Sequence, residues 1–170
     1  MVIIMTRHTG RAYVFGDNIN TDYIISSHRK KDTLDLKQLA NYIMEDIRPG
    51  FGVQVKKGDI IVAGKNFGCG SAMEVASLSI MAAGIPIVIA KTFARTFYRN
   101  GINGGLMLLK CNTDSICDGD ILDIEINSER AIVVNNRDMK EIECYGIPVQ
   151  LQSYLSEGGL IPYYNKYNSL

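Results

Sequence analysis

The residues best suited to chemistry lie in one stretch, Ile60 to Gly84 (IIVAGKNFGCGSAMEVASLSIMAAG), and centre on Ser71. Gly64, Gly68 and Gly70 fall within seven residues just ahead of it. A short apolar run, 60–63, has the length and β-branching of a buried strand. After Ser71, the spacing of Val75, Leu78 and Ala82 predicts a helix closed by Gly84. Strand, glycine-rich loop and helix start together present backbone N–H groups and a positive helix end to an anion. The G-x-x-x-G-x-G spacing is not the dinucleotide fingerprint, and no Lys-Ser or Lys-Thr pair follows to make a P-loop. Two roles for Ser71 stand side by side. Ser71-x-x-Glu74 is a capping box, worth about 1 kcal/mol to a helix. Equally, a hydroxyl surrounded by positive partial charge suits an alkoxide base, or a neighbour of a bound carboxylate. Asp22 lies between a turn signal and an apolar run, where a carboxylate commonly closes a turn. His28-Arg29-Lys30-Lys31 is the one basic cluster, and it is too short for a nucleic-acid footprint.

The elements that must position these groups fit 170 residues, one domain's worth of chain, with a formal net charge of zero. That balance offers no electrostatic case for nucleic acid or an acidic membrane. No segment approaches the ~20 apolar residues of a membrane span, and MVIIMTRHTG lacks the apolar core of a signal peptide. Cys69, Cys111, Cys117 and Cys144 have no C-x-x-C spacing and only two histidines accompany them, so we expect four free thiols in a reducing cytoplasm and no metal held by this chain.

Along the chain, 11–15 reads as a first strand, Gly16-Asp17-Asn18 as a turn and 23–25 as a second short strand. Residues 26–32 read as a polar loop. An amphipathic helix capped by Thr33 should run through Ile47 to Pro49-Gly50, and 51–57 should be irregular. A buried strand at 85–90, a helix from Thr92 to Asn100, a loop at 100–105 and a strand at 106–109 follow. Strands at 121–126, 131–134 and 140–145 come next, with a turn at Asn127-Ser128. A short helix then runs from Pro148 to Gly158-Gly159, and 162–170 reads as a polar, tyrosine-rich tail. Helices and strands alternate in the middle and strands dominate the end, so the class is α/β with a mixed sheet.

Three stretches carry a resemblance when taken together. They are Gly16-Asp17-Asn18-x-Asn20-Thr21-Asp22, Ala63-Gly64-Lys65-Asn66-Phe67-Gly68-Cys69-Gly70-Ser71 and Lys91-Thr92-Phe93-Ala94-Arg95-Thr96-Phe97-Tyr98-Arg99-Asn100. In this order the chain resembles, from about Gly10 to Leu109, the small subunits of 3-isopropylmalate dehydratase and homoaconitase, which correspond to the swivelling C-terminal domain of aconitase. The resemblance implies a swivelling β/β/α domain over 1–170, with a barrel-like mixed sheet flanked by helices, a core at about 10–160 and a tail at 161–170. It implies a hydro-lyase acting on a hydroxy-dicarboxylic acid, as in leucine biosynthesis. The implied partner is a large subunit carrying a [4Fe-4S] cluster that binds the leaving hydroxyl. Ser71 is then implied to be the base and Asp22 to orient the acid–base machinery, while 91–100 supports the loop.

Two departures from that pattern matter. Where the family reads Gly-Ser-Ser-Arg-Glu, this chain has Gly70-Ser71-Ala72-Met73-Glu74, and methionine cannot supply an arginine's fork to a carboxylate. Where the family reads Ile-Ile-Pro-x-x-Tyr-Leu, this chain has Ile24-Ile25-Ser26-Ser27-His28-Arg29-Lys30-Lys31. We expect the changes to be linked, with Arg29, Lys30 or Lys31 binding the carboxylate and Met73 an alkyl group, in a substrate-binding set of Gly70, Ala72, Met73, His28, Arg29, Lys30 and Lys31. That favours a small alkyl malate, 3-isopropylmalate or 2,3-dimethylmalate, over citrate. The alternative from another class is a non-catalytic anion-binding or regulatory module. A serine hydrolase is disfavoured by the lack of a G-x-S-x-G motif.

Overall fold

The computed structural model describes residues 6–127 and 130–167, so the expected turn at Ser128 lies outside the described residues. Among the described residues, seven strands form one mixed sheet in the order β4-β3-β2-β1-β5-β6-β7. Strands β1 (Thr6–Val14), β2 (Ile60–Ala63), β3 (Ile87–Ala90) and β4 (Met107–Lys110) run parallel. Strands β5 (Ile121–Ile126), β6 (Ala131–Asn135) and β7 (Lys140–Cys144) continue from β1 as an antiparallel meander. A single bridge between Lys110 and Tyr145 brings the two edges together, so the sheet curls into a nearly closed barrel flanked by helices.

The strand sequences explain the two-sided burial. Along β2, Ile60 and Val62 face the barrel interior with Ile87, Ile89, Leu109, Leu122, Ile124 and Val133. Ile61 and Ala63 face the helices with Val88, Ala90 and Leu108. A parallel strand covered on both faces needs an unbroken apolar run, and IIVA and IVIA supply one. The β5 strand has one solvated face and alternates instead, with Leu122, Ile124 and Ile126 inward. The first strand starts earlier than expected because its amino-terminal half pairs with β5 rather than β2.

The helices depart further from the sequence expectation. Tyr23-Ile24-Ile25 is not a strand: α1 (Thr21–Ile24) is a helical turn whose cap is Asn20, its side chain accepting from the Asp22 N–H. The expected loop at 26–32 is α2 (Ser27–Asp32), capped in the same way by Ser26. Such short helices have little intrinsic stability, so caps and burial of Ile24 and Ile25 decide the outcome against β propensity. The long helix expected from Thr33 to Ile47 stops early. It is α3 (Leu36–Ala40), capped by Asp35, and then Met44 adopts a left-handed φ of 57° and donates its N–H to the Ile24 carbonyl. A one-turn helix, α4 (Phe51–Gln54), replaces the expected irregular segment.

The helix after Ser71 is α5 (Glu74–Ala82), two residues shorter at its start than a Ser71 cap requires. It buries Ala76, Ser77, Ser79 and Ile80, not the predicted face of Val75, Leu78 and Ala82. The helix α6 (Arg95–Gly104) absorbs most of the expected 100–105 loop and ends at Gly105, whose φ is 96°. After α7 (Val149–Ser156), the described part of the expected polar tail lies instead in α8 (Leu160–Tyr167), with Lys166 and Tyr167 both bonded to Glu157, while 168–170 lie outside the described residues.

One strain point in α5 gives a stability prediction. The Ser79 hydroxyl is buried and takes no hydrogen-bond partner among the described residues. A buried orphan hydroxyl costs about 1–3 kcal/mol, and alanine is the better helix former. Ser79→Ala should therefore stabilise the fold by about 1 kcal/mol, raising the melting temperature by roughly 2–4 °C for a chain of this size. Calorimetry of the two proteins checks it.

Candidate functional site

Parallel strands β1, β2 and β3 send their carboxyl ends to the same rim of the sheet, the edge where open α/β sheets generally present ligand-binding loops. The loop after β1 carries Asp22, the loop after β2 carries Ser71, and the loop after β3 carries Lys91 to Ala94. Backbone bonds knit them. Gly68 N–H donates to the Ile19 carbonyl at 2.8 Å, Thr21 N–H to the Cys69 carbonyl at 2.8 Å, and Phe67 N–H to the Thr92 carbonyl at 3.0 Å. Asn18 and Asn66, both at positive φ, join side chains at 2.9 Å. Thr92, expected to open a helix, instead accepts from Asn66 N–H at 2.7 Å.

Two glycines hold the loop in shape for stated reasons. At Gly68 (φ 79°) a Cβ would overlap the Phe97 ring, and that ring packs edge-on against Phe67 at 5.3 Å. At Gly70 (φ 93°) a Cβ would overlap the Asn20 amide, the group that caps α1. The glycine-rich run thus lets the Ser71 loop lie directly on the Asp22 turn. Thr21 completes the join by donating its hydroxyl to the Ser71 carbonyl at 3.1 Å.

Ser71 is exposed, and its hydroxyl takes no hydrogen-bond partner among the described residues. The capping box is not formed, since Met73 is the N-cap residue and makes no side-chain cap bond. Ser71 instead bonds forward through its backbone, its carbonyl accepting from Met73 N–H at 2.8 Å. The first N–H groups of α5, at Glu74 and Val75, have no intrahelical acceptor and contribute positive partial charge three to four residues beyond Ser71. Ala72 is exposed, whereas Met73 packs partly against the core between sheet and helices.

The basic cluster separates into unequal members. Lys30 points at the site: its ammonium touches the Met73 sulfur and stands 3.9 Å from Asp22 Oδ1, with its side chain only 17% exposed. Ser27, which the sequence analysis did not single out, donates to the same Asp22 oxygen at 2.6 Å. Arg29 turns away to a two-pronged bond with Glu45 at 2.7 and 2.9 Å, and stacks on Tyr42 at 3.9 Å. The Glu45 bond raises its pKa above the ordinary guanidinium value. His28 is exposed, 3.8 Å from Asp32 within α2, and Lys31 is exposed. Asn20, Thr21 and Ser27 are thus the positioning residues that spacing alone did not reveal. Their signal was the run of hydroxyl and amide side chains around Asp22.

No three histidine, cysteine, aspartate or glutamate side chains converge on a metal-sized space among the described residues. All four cysteines are free: Cys69 lies in the Ser71 loop, Cys117 is exposed, and Cys111 and Cys144 are buried. This donor set does not suit an iron–sulfur cluster. A groove of about 580 Å³, lined by Lys91, Thr92, Tyr98, Lys110 and Tyr145 among others, touches the loop after β3 but includes none of Ser71, Asp22 and Lys30.

A nearly closed mixed barrel with helices on its parallel half, and a glycine-shaped serine loop on the rim, defines an α/β domain of the aconitase swivelling type. The chain belongs to the aconitase C-terminal domain family, whose pattern matches residues 28–114. It is 45% identical over 157 residues to the 3-isopropylmalate dehydratase small subunit of Heliobacterium modesticaldum, covering 91% of this chain and 93% of that one. It is also 45% identical over 157 residues to the methanogen homoaconitase small subunit of Methanocaldococcus jannaschii, covering 92% and 91%. A crystal structure of 3-isopropylmalate dehydratase from Methanocaldococcus jannaschii matches with a TM-score of 0.90 at 44% identity, over 96% of both chains.

Proposed function

We propose that this chain is the small subunit of a heteromeric hydro-lyase that adds and removes water on a hydroxy-dicarboxylic acid, 3-isopropylmalate before other candidates. The observation that carries the reading is the assembly of Ser71, Asp22 and Lys30 on one rim, in a chain about 45% identical over most of its length to subunits bearing that name. Ser71 is the base that takes the proton from the carbon next to the departing hydroxyl. Asp22, fixed by Ser27 and the α1 cap, orients that proton transfer. Lys30 receives a substrate carboxylate, Met73 lies against the alkyl branch, and Gly70 and Ala72 leave the loop open to substrate. Arg29, spent on Glu45, braces α2.

A large subunit carrying a [4Fe-4S] cluster completes the site and supplies the Lewis acid for the hydroxyl; this chain supplies the proton chemistry and one wall. The exposure of Ser71 accords with a site half-built until that partner closes over it. The full 170 residues act as one swivelling domain, and the pathway is a cytoplasmic one leading to leucine. Among the described residues no helix is long and apolar enough to cross a membrane. The second reading, another alkyl malate such as 2,3-dimethylmalate, rests on Met73 and Lys30 occupying the place where an arginine fork would select a further carboxylate.

A substrate panel decides between them. The complex with the large subunit, assayed anaerobically on 3-isopropylmalate, 2,3-dimethylmalate, an unsubstituted malate and homocitrate, should prefer an alkyl malate by about tenfold or more. A few apolar contacts with the branch account for that much. Preference for homocitrate would overturn the assignment of Met73.

A further inference from the structure

The seam where the barrel closes holds a feature that the proposed reaction does not use. Lys110, at the end of β4, pairs antiparallel with Tyr145, just beyond β7, and the Tyr145 N–H donates to the Lys110 carbonyl at 2.8 Å. One step further along each strand, the same pairing sets Cys111 opposite Cys144. Lys110 and Tyr145 occupy a hydrogen-bonded position, so the next pair falls at a non-hydrogen-bonded one, where Cα atoms stand about 4.5 Å apart. That is inside the ~4.4–6.8 Å range that a disulfide spans. Pleat alternation turns both thiols inward, and both belong to the barrel core, each 3% exposed. A groove of about 510 Å³ runs along the seam, and Cys111 and Cys144 are among the residues that line it, with Asn112, Arg130, Glu143 and Tyr145.

We propose that Cys111 and Cys144 are a reversible redox site, forming a cross-strand disulfide that staples the open seam of the barrel when the protein meets a peroxide. The hydrogen bond with Cys111 and burial hold the Cys144 thiol above the ordinary thiol range. The Cys111 sulfur takes one oxygen of hydrogen peroxide, the O–O bond breaks, and the other oxygen leaves as water with the thiol proton. Cys144 then attacks the Cys111 sulfenic acid. The S–S bond forms, the S–O bond breaks, and the oxygen leaves as water with the Cys144 proton. Two thiols are oxidised by two electrons, and one peroxide is reduced to two waters. Burial makes the reaction slow, and the pairing makes it selective over exposed Cys117 as a disulfide partner. The seam otherwise holds through one backbone bridge among the described residues, so a covalent link there constrains the unfolded chain and raises the melting temperature.

The full chain, reduced and then treated with hydrogen peroxide, should be alkylated under denaturing conditions, digested without reductant and read by mass spectrometry. The expected result is a peptide joining Cys111 to Cys144 that disappears with dithiothreitol, together with a higher melting temperature than the reduced protein. Cys144→Ala treated identically should yield neither. Recovery of Cys111 and Cys144 as separately alkylated or over-oxidised peptides would overturn the proposal. So would joining of either to Cys69 or Cys117, or a joined peptide that leaves the melting temperature unchanged.

Discussion

Ser71→Ala, in complex with the large subunit, should lower kcat by about 10²–10⁴-fold, the contribution of a positioned general base, while leaving KM nearly unchanged. The variant's melting temperature should not move, and that second result gives the experiment its force. Had Ser71 capped α5, alanine would cost about 1 kcal/mol of stability. The helix begins at Glu74, however, and the Ser71 side chain is exposed without a partner among the described residues. Its replacement should stay within about 0.5 kcal/mol, as surface substitutions usually do. A loss of activity with unchanged stability assigns the hydroxyl to chemistry. A loss of both would return Ser71 to the scaffold, and retained turnover would remove it from the mechanism.

The second large effect is expected at Lys30. Its ammonium lies between Asp22 and Met73 and is mostly enclosed, so it meets a carboxylate with little competition from water. A hydrogen bond to a charged group contributes about 1.5–3 kcal/mol, and Lys30→Met should therefore reduce kcat/KM by roughly 10–100-fold, with most of the loss in KM. Arg29→Met should cost less activity and more stability, because its guanidinium is bound to Glu45 and Tyr42. The contact between Lys30 and Met73 makes the pair testable as a unit. Met73→Arg alone crowds two cations together, and adding Lys30→Met relieves them while restoring an arginine fork. The double variant should recover most of what Lys30→Met loses and gain turnover of longer acids. Simple additivity of the two substitutions would separate the residues.

The sequence was most legible where burial on both faces forces a continuous apolar run. Strands 60–63, 87–90 and 107–110 stand out for that reason, as does the alternating strand 121–126. It was least legible where a single capping bond outweighs propensity. Tyr23-Ile24-Ile25 is β-branched and apolar, yet the Asn20 amide holds it in a helical turn. Ser26 does the same for a run of basic residues that showed no period. The buried face of α5 was not legible either, because it carries two serines, Ser77 and Ser79, that a search for apolar spacing passes over. Of the candidate site, Ser71 and Asp22 were visible as motif positions, but their convergence depends on β1 and β2 being parallel neighbours. The ranking of the three cations was not legible, because Glu45, which draws Arg29 away, lies 16 residues along the chain.

The most direct test of the central claim is turnover of 3-isopropylmalate by this chain mixed anaerobically with its large subunit, with complex formation verified by gel filtration. The proposed function predicts dehydration that neither subunit performs alone. A stable complex that dehydrates none of the alkyl malates would contradict it, and would leave the chain as an anion-binding or regulatory relative of the enzymes it resembles.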